Sequence, residues 1–392
     1  MARMSGKRAL MEMLRAEEVE YIFGNPGTSE SPIMSALEGY PDIKYMLATQ
    51  EGVAMGMADG YAAASGKPAF VNLHIEAGLA NGISLLHHAF AEGRETPMIV
   101  TSGNKDVRKL PEGRTELTEM VRMFTKWSVE VTHPEQVPGV MRRAFTEATT
   151  PPTGPVYVGF AANAFDDEAE VEIRPSSKVF ARHPADTAGV DAAVRMLVDA
   201  QRPDLIVGDR LSRSGGVGEA VRLAELVGAR VYAASYSEMN FPTSHPHYLG
   251  RINMGLPLAK ETLAASDLVL AVGMNVFEGF FYSSGPVLGP NTRLVHVDST
   301  PGEVGKSEPT DVGVIADPKA ALSQICDLLE DGMSGAARES ARARSASIAA
   351  EKQQLRAGWE SDLKAGWNGR PMSPARMMTE LARSLPSDAI IA

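Results

Sequence analysis

Three short segments hold side chains able to do chemistry. In Gly24-Asn25-Pro26-Gly27-Thr28-Ser29-Glu30, a Gly/Pro turn is followed by hydroxyls and a carboxylate. Thr28 or Ser29 can cap a following helix, so the segment makes a sound strand-to-helix connection. A turn at the carboxyl end of a parallel strand is also where α/β sheets bind ligands. Gln50-Glu51-Gly52 sets a carboxyl at the start of a helix, between Met46-Leu47-Ala48 and Val53-Ala54-Met55. The helix dipole favours an acid there whatever its function. In apolar surroundings the expectation for Glu51 is a raised pKa and a proton shared with a ligand nitrogen. His74 ends Phe70-Val-Asn-Leu-His74 and falls at a sheet's carboxyl edge, although most isolated histidines are satisfied structural residues.

Other chemistries find no pattern. His87-His88 are adjacent on a helix and point about 100° apart, so they cannot chelate one metal together. No His/Cys/Asp cluster has zinc spacing, and no metal site is expected. There is no G-x-S-x-G, no Walker loop and no G-x-G-x-x-G. The strand-loop-helix Val207-Gly208-Asp-Arg-Leu-Ser-Arg-Ser-Gly215-Gly216 could hold a nucleotide, but without spaced glycines a structural role is favoured.

The elements that must position these groups alternate between two periods. Strand patterns fall at Val19–Phe23, Ile43–Ala48, Ala69–Leu73, Pro97–Thr101, Lys126–Val129 and Pro155–Gly159. Helical patterns fall at Gly6–Ala16, Ser29–Leu37, Glu51–Ala64, Gly82–Ala91 and Val137–Thr146. That alternation predicts a mostly parallel sheet covered on both faces. Asp166 to Pro184 is charged and weakly periodic, and reads as a linker. A second α/β unit follows, with strands at Leu205–Val207, Val231–Ala233, Leu268–Val272, Leu294–Val297 and Val312–Ile315. The fold class is therefore α/β, with two doubly wound domains of mostly parallel sheet, the second Rossmann-like. The expected divisions are 1–184, 185–332 and a helical 333–392. In the last, Ser373-Pro374 caps a helix and Asp388-Ala-Ile-Ile391 looks like the start of a new strand.

Composition narrows the class. The chain has 392 residues, 44% hydrophobic and 22% charged, enough apolar content for real cores. No apolar run approaches the ~18 residues of a membrane span. Lys and Arg number 38 against 49 Asp and Glu, a formal charge of −11 that argues against nucleic acid and anionic membranes as partners. The single Cys326 cannot form an intrachain disulfide, so a reducing, cytoplasmic location is the simple expectation.

Taken as a set, Gly24-Asn-Pro-Gly27, Gln50-Glu51-Gly52, Ala58-Asp-Gly-Tyr-Ala62, Ser65-Gly-Lys-Pro68, Asn72-Leu-His74 and Gly154-Pro-Val-Tyr157 closely resemble thiamine-diphosphate-dependent enzymes. The likeness is to benzoylformate decarboxylases, with acetolactate synthases as wider kin. It runs on through Asn240-Phe-Pro-Thr243, His245-Pro246 and Asp298-Ser299. The resemblance implies a first domain that binds the cofactor's aminopyrimidine and sites built between two copies of the chain. It implies that Glu51 bonds the pyrimidine nitrogen and helps deprotonate the thiazolium carbon to an ylid, which attacks a 2-oxoacid carbonyl with loss of CO₂. It places Pro26, Gly27 and Asn81 at the cofactor, His74 as a proton relay, and Thr28 where the family's serine touches the substrate carboxylate.

Two departures accompany the likeness. The family's second relay histidine aligns with about Phe280, so a more apolar pocket is expected and the substrate stays open. The Gly-Asp-Gly…Asn motif that holds diphosphate and Mg²⁺ in a third domain is absent. The chain is therefore expected to supply the pyrimidine half of a site, to bind thiamine diphosphate weakly or not at all alone, and to take Mg²⁺ only through that third domain. That domain would come from a continuation or a separate diphosphate-binding subunit. FAD in the middle domain has little support. The competing readings are an acetolactate-synthase-like carboligase and a non-catalytic dimerisation or regulatory relic.

Overall fold

The computed structural model describes residues 1–91, 94–109, 113–234, 238–254, 257–274 and 285–389. Its contacts divide the chain into two compact units, Met1–His183 and Pro184–Ala392.

The first unit contains β1 (Ala2–Ser5), β2 (Tyr21–Asn25), β3 (Lys44–Leu47), β4 (Ala69–Leu73), β5 (Met98–Asn104), β6 (Trp127–Val131), β7 (Pro155–Ala161) and β8 (Glu168–Val171). Six of them form a parallel sheet in the order β3-β2-β4-β5-β7-β6. Every residue of β4, β5 and β7 is buried, as a parallel strand covered on both faces requires. One face packs against helices Gly6–Ala16 and Val137–Thr149 through Leu10, Met13 and Phe145. The other packs against Glu51–Ser65 and Ala77–Phe90 through Met55, Leu79 and Leu86. The Gln50 side chain caps the first of these by accepting the Val53 amide at 3.0 Å, and Gly66 closes it at φ 69°.

The second unit has β9 (Pro203–Val207), β10 (Arg230–Ala233), β11 (Tyr248–Arg251), β12 (Leu268–Val272), β13 (Arg293–Asp298) and β14 (Val312–Ile315). They are parallel, in the order β11-β10-β9-β12-β13-β14. Both units are thus α/β with parallel sheets, as the alternating pattern predicts. The strand order reverses between β9 and β12, the position at which such sheets take ligands. Here Arg210, just beyond β9, forks onto Asp298 with bonds of 2.8 and 3.1 Å, and both side chains are buried. Asp209 beside it accepts from Asn240 at 2.9 Å, so the loop after Gly208 is packed with its own polar side chains.

Some expectations are corrected. The stretch read as a linker contains β8, which pairs antiparallel with β1, a strand the sequence did not announce. Ala169 and Val171 are buried while Glu168 and Glu170 are exposed, so a period of two lay hidden in acidic composition. β11 was likewise missed, because an edge strand with little buried surface carries little apolar signal. Helix Ala77–Phe90 begins five residues before Gly82. The strand expected from Asp388 is not formed at Asp388 or Ala389, and Ile390 and Ile391 lie outside the described residues, as does Phe280.

Asp204 on β9 is 1% exposed, with one oxygen bonded by the Ser266 hydroxyl and the other without a partner. Burial raises its pKa from 3.8 to about 6. The native state therefore keeps a proton that the unfolded chain loses, so stability falls as pH rises from about 4 to about 6, by roughly 3 kcal/mol. Asp204→Asn should melt higher than the parent above pH 6 and equal to it near pH 4. Parallel melting curves that do not diverge with pH would contradict this.

Candidate functional site

The site grows from the carboxyl edge of the first sheet. β2, β3 and β4 end side by side, and each delivers one polar segment: Asn25 to Glu30, Gln50-Glu51, and His74. Glu51 opens helix Glu51–Ser65 and is only 8% exposed. Its Oε1 accepts from the Asn25 amide at 3.0 Å and its Oε2 from the Asn81 amide at 3.1 Å. Asn81 reaches it from helix Ala77–Phe90. Both carboxylate oxygens are thereby oriented, and each can still accept another bond.

The raised pKa expected for Glu51 is corrected. Burial does push the carboxyl up. Hydrogen bonds from Asn81, its own backbone amide and Asn25, with the field of His74, outweigh it and leave Glu51 below its ordinary value. Apolar neighbours in sequence were a poor guide, because the amides that decide the matter come from other segments.

His74 forms a second centre. Its Nδ1 lies 2.9 Å from Glu30 Oε2 and 3.1 Å from Ser29 Oγ. Glu30 is fully buried and also accepts the backbone amides of Gly27 at 3.0 Å and Gly103 at 2.7 Å. An acceptor-only partner assigns the proton to Nδ1 and leaves Nε2 as the nitrogen available to a ligand. The ring is a third exposed. Gly27 faces it so closely that a Cβ there would meet the ring at 2.1 Å, so only glycine fits. Pro26 is half-buried between Asn25 and Gly27.

The sequence reading named Thr28, yet it is exposed, and its neighbour Ser29 is the residue whose hydroxyl reaches His74. Glu30 and Asn25 were passed over as site residues. The signal for Glu30 was its position three after Gly27, where a carboxylate can turn back onto the Gly27 amide. Glu51 with Asn25 and Asn81, and His74 with Ser29 and Glu30, therefore line one sheet edge. His87 and His88 are exposed, and among the described residues no group of acidic, His or Cys side chains could hold a metal.

Comparison with known proteins gives this edge its context. The family described as "Thiamine pyrophosphate enzyme, N-terminal TPP binding domain" matches residues 4–124. "Thiamine pyrophosphate enzyme, central domain" matches residues 190–325. A benzoylformate decarboxylase of Pseudomonas aeruginosa is 32% identical over 332 residues, covering 81% of this chain and 61% of the relative. A probable acetolactate synthase large subunit of Methanocaldococcus jannaschii is 28% identical, covering 82% and 56%. The crystal structure of benzoylformate decarboxylase from Polynucleobacter necessarius superposes with a TM-score of 0.76 at 28% identity, over 83% of this chain and 61% of that one. The chain spans about three fifths of the length of these relatives. With both domain families matched in order, the chain belongs to the thiamine pyrophosphate enzyme family.

Proposed function

We propose that this chain supplies the aminopyrimidine-activating half of a thiamine-diphosphate site that decarboxylates 2-oxoacids. The observation that carries the reading is the Glu51 carboxylate, anchored through both oxygens at the sheet edge. The donor set fits a pyrimidine: a carboxylate with lone pairs to spare, and a wall without side-chain bulk. At Gly78 a Cβ would meet His74 Cβ at 2.8 Å and Glu51 Oε1 at 3.2 Å. Thiamine diphosphate, when bound, supplies the carbon nucleophile for the 2-oxoacid carbonyl and the sink for the electron pair that CO₂ leaves behind.

The protein's own part is positioning and proton handling. Glu51 accepts a ring N–H and so favours the cofactor tautomer that can take a proton. Asn25 and Asn81 keep its oxygens aimed. His74, fixed through Nδ1 by Glu30, presents Nε2 to hold or deliver a proton at the reacting carbon. Pro26 and Gly27 line the cleft. Mg²⁺ with the diphosphate, a second copy of the chain beside the cleft and a cytoplasmic setting belong to the same proposal. No helix among the described residues is long and apolar enough to cross a membrane.

Titration of thiamine diphosphate and Mg²⁺ into the ¹⁵N-labelled chain tests it. Shifts of the Asn25 and Asn81 side-chain amides and of the Gly27 and Gly78 backbone are expected, at millimolar concentration if need be. Unmoved resonances at these positions would overturn the proposal. An aldehyde with CO₂, rather than a 2-alkyl-2-hydroxy-3-oxo acid with CO₂, is the expected product pattern from a 2-oxoacid, and the reverse would favour a carboligase.

A further inference from the structure

Beyond His74, the same sheet edge contains a pair that the chemistry above does not use. β4 and β5 are parallel neighbours with Leu73 opposite Ser102, and three residues further along each chain stand Glu76 and Lys105. Lys105 Nζ donates to Glu76 Oε1 at 3.2 Å, and the Thr115 hydroxyl donates to the same oxygen. Glu76 adopts φ 50°, ψ −83°, a conformation that residues with a side chain seldom take. Strain of this kind persists where the surroundings enforce it, and it gathers at functional sites. Bonds from Thr115 and Lys105 hold the Glu76 carboxyl below its ordinary pKa, so the pair is ionic.

A solvent-exposed ion pair contributes little to stability. This one is open, with each side chain 40% exposed, and it sits two residues from the proton-carrying histidine. Glu30, Glu51 and Glu76 make the edge acidic, which opposes an anionic substrate, and Lys105 is the cation set among them. Glu76 competes for that cation from a strained backbone, so an incoming anion can replace it at modest cost.

We propose that Lys105 is a specificity determinant that pairs with a second anionic group at the far end of the substrate, displacing Glu76. The substrate class is then a 2-oxoacid with a distal carboxylate, sulfonate or phosphonate; this deepens, and rests on, the 2-oxoacid reading above.

The test is calorimetric titration of the full chain with 2-oxoglutarate and 2-oxovalerate, which share a five-carbon skeleton and differ in the distal charge. The wild-type chain should prefer 2-oxoglutarate by about tenfold, the scale of one charge-assisted hydrogen bond. Lys105→Met should erase that preference with 2-oxovalerate unaffected, and Glu76→Gln should enlarge it several-fold. A merely structural ion pair would lower the melting temperature in both variants and shift selectivity in neither. Absence of a dianion preference in the wild type, or its survival in Lys105→Met, overturns the proposal. The thiamine diphosphate titration is independent: its failure alongside an intact Lys105-dependent preference would remove the cofactor reading and leave this one standing.

Discussion

In the enzyme assembled with a diphosphate-binding domain, Glu51→Gln should lower thiamine-diphosphate-dependent CO₂ release from 2-oxoacids by roughly 10²–10⁴-fold, the range that a positioned acid–base group contributes. Glutamine keeps the shape but exchanges one acceptor oxygen for an N–H donor. Either the Asn25 amide at 3.0 Å or the Asn81 amide at 3.1 Å then faces a donor, and one side of the side chain must turn. The ring N–H of the cofactor loses its anionic acceptor at the same time. Stability should fall modestly, because a carboxylate held below its ordinary pKa favours the folded state and one of its two amide donors loses its acceptor. The pairing of a large loss of turnover with only a small drop in melting temperature is the signature. Turnover within tenfold of wild type would mean that this carboxylate is not the activating group. Because Glu51 lies below its ordinary pKa, it remains a carboxylate across pH 5–8, and the acid limb of a rate profile in that range should belong to another group.

How far the site could be read from sequence depends on how locally each residue's surroundings are set. Strands β4 and β12 are visible from end to end, since strands buried on both faces are near-continuous apolar runs, broken in β4 only by Asn72. Glu51 and His74 stand out because a carboxyl opening a helix and a histidine closing a strand are local events. What those residues become was not local. The pKa of Glu51 is set by amides 26 and 30 residues away in sequence. The choice of Ser29 over Thr28 is set by which hydroxyl the short 3₁₀ turn Thr28–Glu30 swings toward β4. One residue of rotation on so tight a turn is about 120°, too fine a distinction for pattern alone. Glu76 and Lys105 are brought together only by the register of two strands whose ends are 31 residues apart.

Glu30→Ala is expected to destabilise the Met1–His183 unit by about 3–5 kcal/mol, the cost of breaking a buried, charge-assisted network from one side. At roughly 2–4 °C per kcal/mol for a unit of this size, its melting temperature should fall by about 6–20 °C. The reason lies in what the carboxylate serves. It is fully buried and takes the Gly27 and Gly103 amides, the Ser29 hydroxyl and His74 Nδ1. This one side chain ties together amides from two separate strands, since Gly27 lies in the turn after β2 and Gly103 within β5, with β4 between them. Removing the carboxylate therefore leaves two strands' ends untied and two amides without an acceptor inside the protein. Hydrogen exchange should quicken at Gly27 and Gly103 first. Glu30→Gln separates the structural and the chemical roles. Its single carbonyl oxygen can satisfy the Gly103 amide, which leaves an NH₂ against Gly27 and His74. Part of the stability should return, while the imidazole loses its fixed Nδ1–H form and shows mixed tautomers by ¹⁵N NMR. A loss of stability under about 1 kcal/mol for Glu30→Ala, or a pure Nδ1–H tautomer in Glu30→Gln, would show that the histidine is held by something other than this carboxylate.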